Sequence, residues 1–325
     1  MRPFTYELPS GVSEAANLGR PDSAFIAGGT TIVDLMKLEV VKPSRVVDLN
    51  ALSMRGIEMS TDGLRIGALE KMSDTALHPE VVANYPVISE ALLKSASAQI
   101  RNMASIGGNL LQRTRCGYFR DVNTPCNKRE PGSGCPAIDG ENRMHAILGT
   151  SSSCVATHPS DLAVALVALD ASVRLQSASG ERLVKLDDFY LVPDSTPHRE
   201  NQLLPGELIT EIRVPRLAWA TRSTYLKIRD RESYEFSLAS AAVALDVNGD
   251  QIQDARVAVG GVGTKPWNLL KVREALTGKP LTQETFAAAA KLAGDGAVPL
   301  KQNAFKVDLV QRTIIRALMT LGGLA

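Results

Sequence analysis

The chain has 325 residues, a formal net charge of +1 at pH 7 and a hydrophobic content of 44%. This length is typical of two or three domains, and the composition is that of a globular protein. The near-neutral charge argues against a nucleic-acid partner, and no apolar run approaches the roughly 20 residues that span a bilayer. The start of the chain lacks the charged region and apolar stretch of a signal peptide, so the chain alone is expected to stay where it is made.

The first 50 residues are predicted to form a small α/β unit. The expected elements are a helix at 14–18, a strand at 24–27, a helix at 32–37 and a strand at 45–49. Gly28-Gly29-Thr30-Thr31 lies between the first strand and the second helix. Glycines there let the backbone approach a ligand closely, and amides at a helix start favour an anion. A glycine pair at such a place is more often an ordinary turn, so both interpretations stay open.

The middle of the chain mixes short strands with helices. The predicted elements are a strand at 64–68, a helix beginning near 73 and interrupted at Pro79, a helix at 88–100, a second glycine turn at 107–109, a buried helix at 161–170, a hairpin with strands at 172–176 and 182–186, a loop at 187–206 and a strand at 208–214. This pattern predicts a mixed unit that ends near 216–223.

The remaining residues predict a separate α+β unit. Strands are expected at 224–228, 239–247 and 252–259, with a tight turn at 248–250, and helices at 268–276, 283–293 and 305–321. Strands followed by helices are typical of a sheet with helices on one face.

All four cysteines lie between the second glycine turn and Asp161. Nine, eight and eighteen residues separate Cys116, Cys126, Cys135 and Cys154 in turn. These intervals are not typical of zinc modules or ferredoxins, so disulfides, zinc, an iron–sulfur cluster and free thiols all stay open. Basic residues beside the first two cysteines would offset thiolate charge, although such residues are usually a solvated surface. A segment with so few apolar residues cannot be stabilised by its own hydrophobic core and needs a metal centre or disulfides to hold it.

The remaining polar candidates have ordinary structural alternatives. The histidines, which are scattered and suggest no hydrolytic arrangement, are His78, His145, His158 and His198. His158 could orient the loop before Asp161, and Asp161 could equally be the N-cap of the following helix. Lys227 and Arg229 share one face of a strand, which is either an exposed face or a cation source near an anionic cofactor such as a flavin.

Three motifs in this order resemble the FAD-binding subunit of molybdenum hydroxylases, the group of xanthine dehydrogenase and aldehyde oxidoreductase. The motifs are Ala27-Gly28-Gly29-Thr30-Thr31 with Leu35 and Lys37, Ser105-Ile106-Gly107-Gly108-Asn109-Leu110, and Ser160-Asp161-Leu162. In most members a short interval separates the last two motifs, whereas here it is long and contains the four cysteines. The chain is therefore similar to members with an added [4Fe–4S] cluster, the periplasmic aldehyde oxidoreductases and, with a different insertion, 4-hydroxybenzoyl-CoA reductase. Segments 113–116 and 127–135 resemble the former most closely.

The resemblance covers the whole chain and implies an α+β fold. A two-subdomain FAD-binding fold of the PCMH/CO dehydrogenase flavoprotein type would be followed by a C-terminal α+β domain. We expect an N-terminal FAD-binding subdomain at 1–60 and a second subdomain at 61–218, with a cysteine-rich [4Fe–4S] insertion at about 111–156. A domain similar to the CO dehydrogenase flavoprotein C-terminal domain would occupy 223–325.

The resemblance also implies the residues that bind cofactors. The residues expected to bind FAD are Ile26, Ala27, Gly28, Gly29, Thr30, Thr31, Leu35, Ser105, Ile106, Gly107, Gly108, Asn109, Tyr118, Asp161 and Lys227. Both glycine turns would hold the pyrophosphate by backbone amides. Asn109 and Asp161 would bind ribityl or ribose hydroxyls, Lys227 would lie by the isoalloxazine, and Tyr118 would pack against the flavin. The expected ligands of the [4Fe–4S] cluster are Cys116, Cys126, Cys135 and Cys154, and no catalytic residue is expected in this chain.

The resemblance implies an electron-transfer role in a heterotrimer. A large molybdenum-cofactor subunit would oxidise an aldehyde, and a small subunit with two [2Fe–2S] clusters would pass electrons to FAD in this chain and on to an external acceptor. Alternatives are the FAD subunit of a xanthine or hydroxybenzoyl-CoA type enzyme, a self-sufficient flavin oxidase or reductase, and a non-catalytic zinc-binding scaffold. The closest resemblance suggests a periplasmic location through export on a partner's signal, and the cytoplasm is the alternative.

Overall fold

The computed structural model describes residues 1–324. Its first layer is a three-stranded parallel sheet with strand order β1-β3-β2. The elements are β1 Thr5–Glu7, α1 Val12–Leu18, β2 Ser23–Ile26, α2 Ile32–Lys37 and β3 Arg45–Asp48. The predicted α/β unit is confirmed, and β1 is an addition, since three residues are too few to show a period. Because the sheet is parallel, the turn after β2 leaves its carboxyl edge and leads into α2.

The second layer is a five-stranded antiparallel sheet with order β4-β5-β8-β6-β7. Its strands are β4 Ile57–Met59, β5 Gly63–Gly67, β6 Ser172–Ser177, β7 Gly180–Lys185 and β8 Leu208–Pro215. The predicted β6–β7 hairpin is confirmed. The pairing of β5 with β8 brings together two strands that are far apart in the chain, with Gly63 opposite Pro215. The long segment between β5 and β6 therefore leaves this sheet at β5 and rejoins it at β6.

The segment between β5 and β6 contains seven short helices. Its helices are α3 Met72–Leu77, α4 Pro79–Asn84, α5 Pro86–Leu93, α6 Ala98–Met103, α7 Ile106–Leu110, α8 Gly117–Arg120 and α9 Asp161–Ala168, and α10 Leu186–Phe189 follows β7. The prediction of one helix at 88–100 is wrong. The chain breaks at Ala96, whose φ is +48°, and the Ser97 side chain caps α6 by accepting from the Ile100 amide at 3.3 Å. Two prolines begin helices, at the first position of α4 and of α5.

The C-terminal layer is an antiparallel sheet with order β12-β11-β10-β9. Its elements are β9 Ser223–Ile228, β10 Ala239–Asn248, β11 Gln251–Gly260, β12 Trp267–Asn268, α11 Leu270–Leu276, α12 Gln283–Ala290 and α13 Phe305–Gly322. The predicted strands and helices are confirmed, and Gly249 forms the β10–β11 turn with a φ of +60°. No helix within residues 1–324 has both the length and the apolar character needed to cross a bilayer.

The C-terminal sheet is covered on both faces rather than on one. Ala241 and Val243 of β10 belong to a core shared with α11, α12 and α13. The intervening Ala242, together with Tyr225 of β9, belongs to the core around α5 and α9. Alternate residues of a strand point to opposite faces, so β10 is buried almost continuously. The expectation of helices on one face was therefore incomplete, because α5 of the preceding layer packs on β9 and α9 packs on β10 and β11.

Candidate functional site

The first glycine turn presents backbone amides without protein partners. Gly29 has a φ of +73°, which glycine adopts without strain. Within the described residues, the amides of residues 28–31 donate to no protein acceptor. A Cβ on Gly28 would lie 2.0 Å from the carbonyl oxygen of Met103, so only glycine allows this approach to the segment before the second turn. A turn of half-buried, unpaired amides is a suitable site for a phosphate.

The second glycine turn uses its amides within the protein. It forms the short helix α7, whose N-cap Ser105 accepts from the Gly108 amide at 3.2 Å. The Ile106 amide donates to Glu70 O and the Gly107 amide to Ala68 O, at 2.9 and 2.8 Å. Both turns were predicted to hold a pyrophosphate by backbone amides, and only the first has a run of amides without protein acceptors, so the contact stays a prediction. In the second turn, the lack of a side chain at Gly107 permits close packing on Ala68, where a Cβ would lie 3.0 Å from the Ala68 Cβ.

Both turns line one cavity of about 240 Å³. The expected residues that border it are Ala27, Gly28, Gly29, Thr30, Thr31, Leu35, Ser105, Gly107 and Gly108. Ile106 is fully buried in the core, and neither it nor Ile26 lines the cavity. The cavity is also lined by Arg113, Leu203 and Leu208, which come from distant parts of the chain and were not predicted. Their position depends on how the sheets pack, and no local motif marks them.

Asn109 turns into the protein rather than toward the cavity. It is 8% exposed, and its Oδ1 accepts from the Ser160 hydroxyl at 2.6 Å. Ser160 is the N-cap of α9, since its Oγ accepts from the Ala163 amide at 3.0 Å. The alternative prediction that Asp161 is the N-cap is therefore wrong by one residue. His158 fixes the same loop, because its Nδ1 accepts from the Ser160 amide at 3.3 Å and burial lowers its pKa to about 4.

Asp161 and Lys227 form a buried ion pair, with 2.7 Å between Oδ2 and Nζ. The second carboxylate oxygen of Asp161 accepts from the Tyr225 hydroxyl at 2.6 Å, and Oδ2 also accepts from the Ser95 hydroxyl at 3.0 Å. Lys227 donates in addition to Lys94 O at 3.1 Å. Burial, and then the Asp161 charge, raises the pKa of Tyr225. Neither Asp161 nor Lys227 lines the glycine-turn cavity, and their expected contacts with ribityl or ribose hydroxyls and with the isoalloxazine stay predictions.

The four cysteines line a second, small cavity, and all four are free thiols. The chain folds back on itself between residues 116 and 154 through several tight turns, which bring the four side chains together. The enclosed space is about 10 Å³, which is room for roughly one water molecule. Among residues 1–324, no three His, Cys, Asp or Glu side chains are arranged so that they could hold a metal ion as they stand.

The environment of the thiols combines burial with amide donors. Burial raises the pKa of Cys116 to about 12, while the amides of Tyr118 and Phe119 act to lower it. Burial likewise raises the pKa of Cys154, against the opposing effects of Lys128 and of a backbone amide. Buried thiols are therefore protonated unless a metal replaces the proton. Amides that point at sulfur are the partners that a ligated thiolate requires.

The basic residues of the cysteine segment are largely paired. Asp34 of α2 accepts from Arg115 at 3.1 Å and from Arg120 at 2.7 Å, and the hydrogen bond from Arg120 lowers the pKa of Asp34. Glu200 pairs with Arg113 at 2.5 Å and with Lys128 at 3.1 Å. These cations anchor the segment to α2 and to the loop after α10. The prediction that they offset thiolate charge is supported only for Lys128, which acts on Cys154.

A third cavity of about 710 Å³ adjoins the cysteines. Cys116, Tyr118 and His145 border both this cavity and the small one. The hydroxyl of Tyr118 accepts from the Glu141 amide at 2.8 Å, and its half-buried ring lies 6.4 Å from the His145 ring centroid. Phe236 of the loop between β9 and β10 also lines this cavity. The predicted contact of Tyr118 with a flavin stays a prediction. The Tyr118 side chain borders the cavity of about 710 Å³.

Two protein families match the chain in succession. Residues 2–217 match the FAD binding domain in molybdopterin dehydrogenase, and residues 224–324 match the CO dehydrogenase flavoprotein C-terminal domain. The chain is an FAD-binding flavoprotein subunit of the molybdenum hydroxylase family. The glycine-turn cavity of this flavoprotein lies within the residues that match the FAD binding domain.

Relatives of this flavoprotein belong to several oxidoreductases. The FAD-binding subunit PaoB of an aldehyde oxidoreductase from Escherichia coli is 46% identical over 98% of both chains. The medium chain of a glyceraldehyde dehydrogenase from Sulfolobus acidocaldarius is 28% identical over 86% of this chain and 83% of the relative. The fold matches that of carbon monoxide dehydrogenase from Hydrogenophaga pseudoflava, with a TM-score of 0.77, 24% identity and coverage of 100% of this chain and 99% of the other.

Proposed function

We propose that this chain is the FAD- and [4Fe–4S]-containing electron-transfer subunit of a heteromeric molybdenum-containing aldehyde oxidoreductase. The observation that carries the proposal is the 46% identity to an aldehyde oxidoreductase FAD-binding subunit along 98% of both chains. The gathering of four free thiols around one cavity supports the cluster. When bound, the two groups supply electron transfer from the partners' centres to an external acceptor.

The residues of the first glycine turn suit the pyrophosphate of FAD. Unpaired amides at 28–31 offer hydrogen bonds to its oxygens, and the glycine at 28 allows the backbone to approach. Arg113 lines the same cavity, although its charge is shared with Glu200. The apolar walls, which include Leu35, Leu203 and Leu208, exclude water from the remaining surface of the cofactor.

The four cysteines suit an iron–sulfur cluster in chemistry and number. Thiolates are the usual ligands of such clusters, and the proposed ligands are Cys116, Cys126, Cys135 and Cys154. Amides near Cys116, Cys135 and Cys154 provide donors to the sulfurs. The enclosed space of about 10 Å³ means that the cysteine side chains must move apart to admit a cluster.

The proposed partners are a large molybdenum-cofactor subunit and a small subunit with two [2Fe–2S] clusters. Support comes from the relatives, which are described as subunits or medium chains of larger enzymes. The proposed location is the periplasm, reached by export with a partner that carries a signal. Free thiols in an oxidising compartment fit a cluster that is loaded before export, because ligated thiolates cannot form disulfides.

The test is a visible spectrum with flavin and metal quantitation on the purified complex and on its Cys126→Ser variant. The matched control is Ser152→Ala, which changes an exposed residue in the same segment. We expect flavin in all three samples. We also expect iron in excess of the partner's two-iron clusters in the wild type and the control, and its loss in Cys126→Ser.

Other results would contradict parts of the proposal. Flavin without excess iron would retain the family assignment and remove the cluster. Zinc in place of iron would favour a zinc-binding segment. A complex that contains the expected cofactors but reduces no acceptor with aldehydes would belong to another molybdenum hydroxylase if it reduces an acceptor with xanthine, or if it reduces a hydroxyaromatic thioester with an added electron donor.

A further inference from the structure

His145 is a buried histidine in contact with one of the proposed cluster ligands. His145 is 7% exposed, and its Nε2 is 3.1 Å from the Cys116 sulfur. The ring also borders both the cysteine cavity and the cavity of about 710 Å³ beside it. No role in the proposed cofactor binding accounts for this contact.

The direction of the hydrogen bond follows from the chemistry of the two groups. A cysteine that ligates iron is a thiolate and has no proton to donate, so the Nε2 of His145 must carry the hydrogen. Nδ1 has no hydrogen-bond partner among the described residues. In a neutral imidazole only one ring nitrogen carries a proton, and a buried N–H without an acceptor costs more than an unused lone pair. The tautomer protonated at Nε2 is therefore the stable one.

The backbone of His145 is held from the C-terminal layer. The Nζ of Lys306 and the Nδ2 of Asn303 both donate to His145 O, at 3.0 and 3.2 Å, and both residues are fully buried. Lys306 also donates to Gly261 O at 2.7 Å. Two fully buried donors on a single carbonyl hold the backbone of His145 beside the cysteine cavity.

We propose that His145 donates an N–H···S hydrogen bond to Cys116 and thereby raises the reduction potential of the cluster. The inference rests on the proposed cluster and adds a residue that sets its potential. Reduction adds negative charge to a cluster and its sulfurs, and a hydrogen bond to sulfur stabilises that charge. Removal of the donor should therefore make the cluster harder to reduce. His145 is a positioning and tuning residue rather than a ligand.

The experiment measures the reduction potential of the cluster by a redox titration of the purified complex, followed by spectroscopy. His145→Leu removes the donor, and His145→Gln keeps an N–H near the place of Nε2. His198→Leu makes the same change at an exposed histidine and serves as the control. We expect a lower potential in His145→Leu, a potential near that of the wild type in His145→Gln, and no change in His198→Leu. Iron is quantified in each sample.

Each outcome has one meaning. Loss of iron from His145→Leu with retention in His145→Gln also supports an N–H donor. Equal potentials in the wild type and His145→Leu, with iron retained in both, overturn the inference and leave the cluster intact. Loss of iron from both His145 variants overturns it too, because a ring that cannot be replaced by an amide donor has another role. Absence of excess iron from the wild type would contradict the proposed function itself.

Discussion

Asp161 and Lys227 meet in the interior, where their side chains are 6% and 2% exposed and 2.7 Å separates Oδ2 from Nζ. Asp161 begins α9 in the FAD-binding layer, and Lys227 belongs to β9 of the C-terminal sheet. Tyr225 of the same strand donates to the other carboxylate oxygen. The pair therefore joins the two halves of the chain, and its charges are satisfied by protein groups alone.

Removal of one member of this pair should destabilise the protein strongly. Lys227→Met leaves the carboxylate of Asp161 buried without its cation, which costs about 3–5 kcal/mol of the free energy of unfolding. The double variant Asp161→Asn/Lys227→Met removes both charges and should recover most of this loss. Denaturant unfolding of the three proteins measures both effects. Loss of flavin from Lys227→Met without a change in stability would instead support the flavin contact expected from the sequence.

Arg143 and Asp230 form an exposed ion pair, in contrast to the buried pair of Asp161 and Lys227. They form a bidentate pair with distances of 2.6 and 2.8 Å, but their side chains are 46% and 47% exposed. Solvent screens such a pair, so a double-mutant cycle of Arg143→Ala and Asp230→Ala should give a coupling energy below about 1 kcal/mol. A coupling as large as that of the buried pair would mean that the loop between β9 and β10 closes over Arg143 in solution.

The face of β9 that carries Lys227 could be predicted from the sequence, but the burial of that face could not. Strand alternation correctly put Lys227 and Arg229 on one face, and both donate to Lys94 O. Whether this face is exposed or buried depends on α5, which comes from the preceding layer and packs on β9. Alternation in one strand carries no information about the element that packs on it, so the ionic partner of Lys227 could not be found from its neighbours.

The hydrogen-bond partners of the glycine-turn amides likewise could not be predicted from the local sequence. The position of the first turn between strand and helix was predicted because Gly28 and Gly29 follow the strand expected at 24–27, which the structure has at Ser23–Ile26 and half-buried. The sequence could not distinguish a turn with unpaired amides from one whose amides are used. In the second turn, the acceptors Ala68 O and Glu70 O lie on a segment far earlier in the chain. The four cysteines, by contrast, were grouped correctly because one continuous segment contains them all.

Gly28→Ala should disrupt the FAD site and lower stability. The added Cβ would lie 2.0 Å from Met103 O and 2.9 Å from the Ala104 Cα, and backbone atoms cannot rotate away as a flexible side chain can. Overpacking of this kind costs about 1–3 kcal/mol or more, and here it pushes apart the two turns that line the cavity. The ratio of flavin to protein should fall sharply. Gly11→Ala, where a Cβ meets nothing within 4 Å, is the control. Wild-type flavin content in Gly28→Ala would contradict the assignment.

The lowered pKa of Lys306 should make the stability of the protein depend on pH. Burial lowers its pKa to about 7 from an ordinary value of 10.5. A neutral amine retains two N–H groups, which match the two carbonyls that Lys306 contacts, those of His145 and Gly261. Between pH 7 and 10.5 the unfolded chain binds a proton that the folded chain does not. The free energy of unfolding should therefore rise with pH across this window, and the contribution of Lys306 should be constant below and above it.

Lys306→Met tests this dependence, because the variant keeps an unbranched side chain but cannot titrate. The difference in unfolding free energy between the wild type and Lys306→Met should increase from pH 7 toward pH 10.5, where the neutral amine satisfies both carbonyls without carrying a buried charge. Denaturant unfolding at a series of pH values measures this difference. The exposed Lys301→Met is the control and should show a difference that does not vary with pH. A difference that falls with pH would mean that Lys306 remains charged in the folded protein and is stabilised by its two carbonyl acceptors.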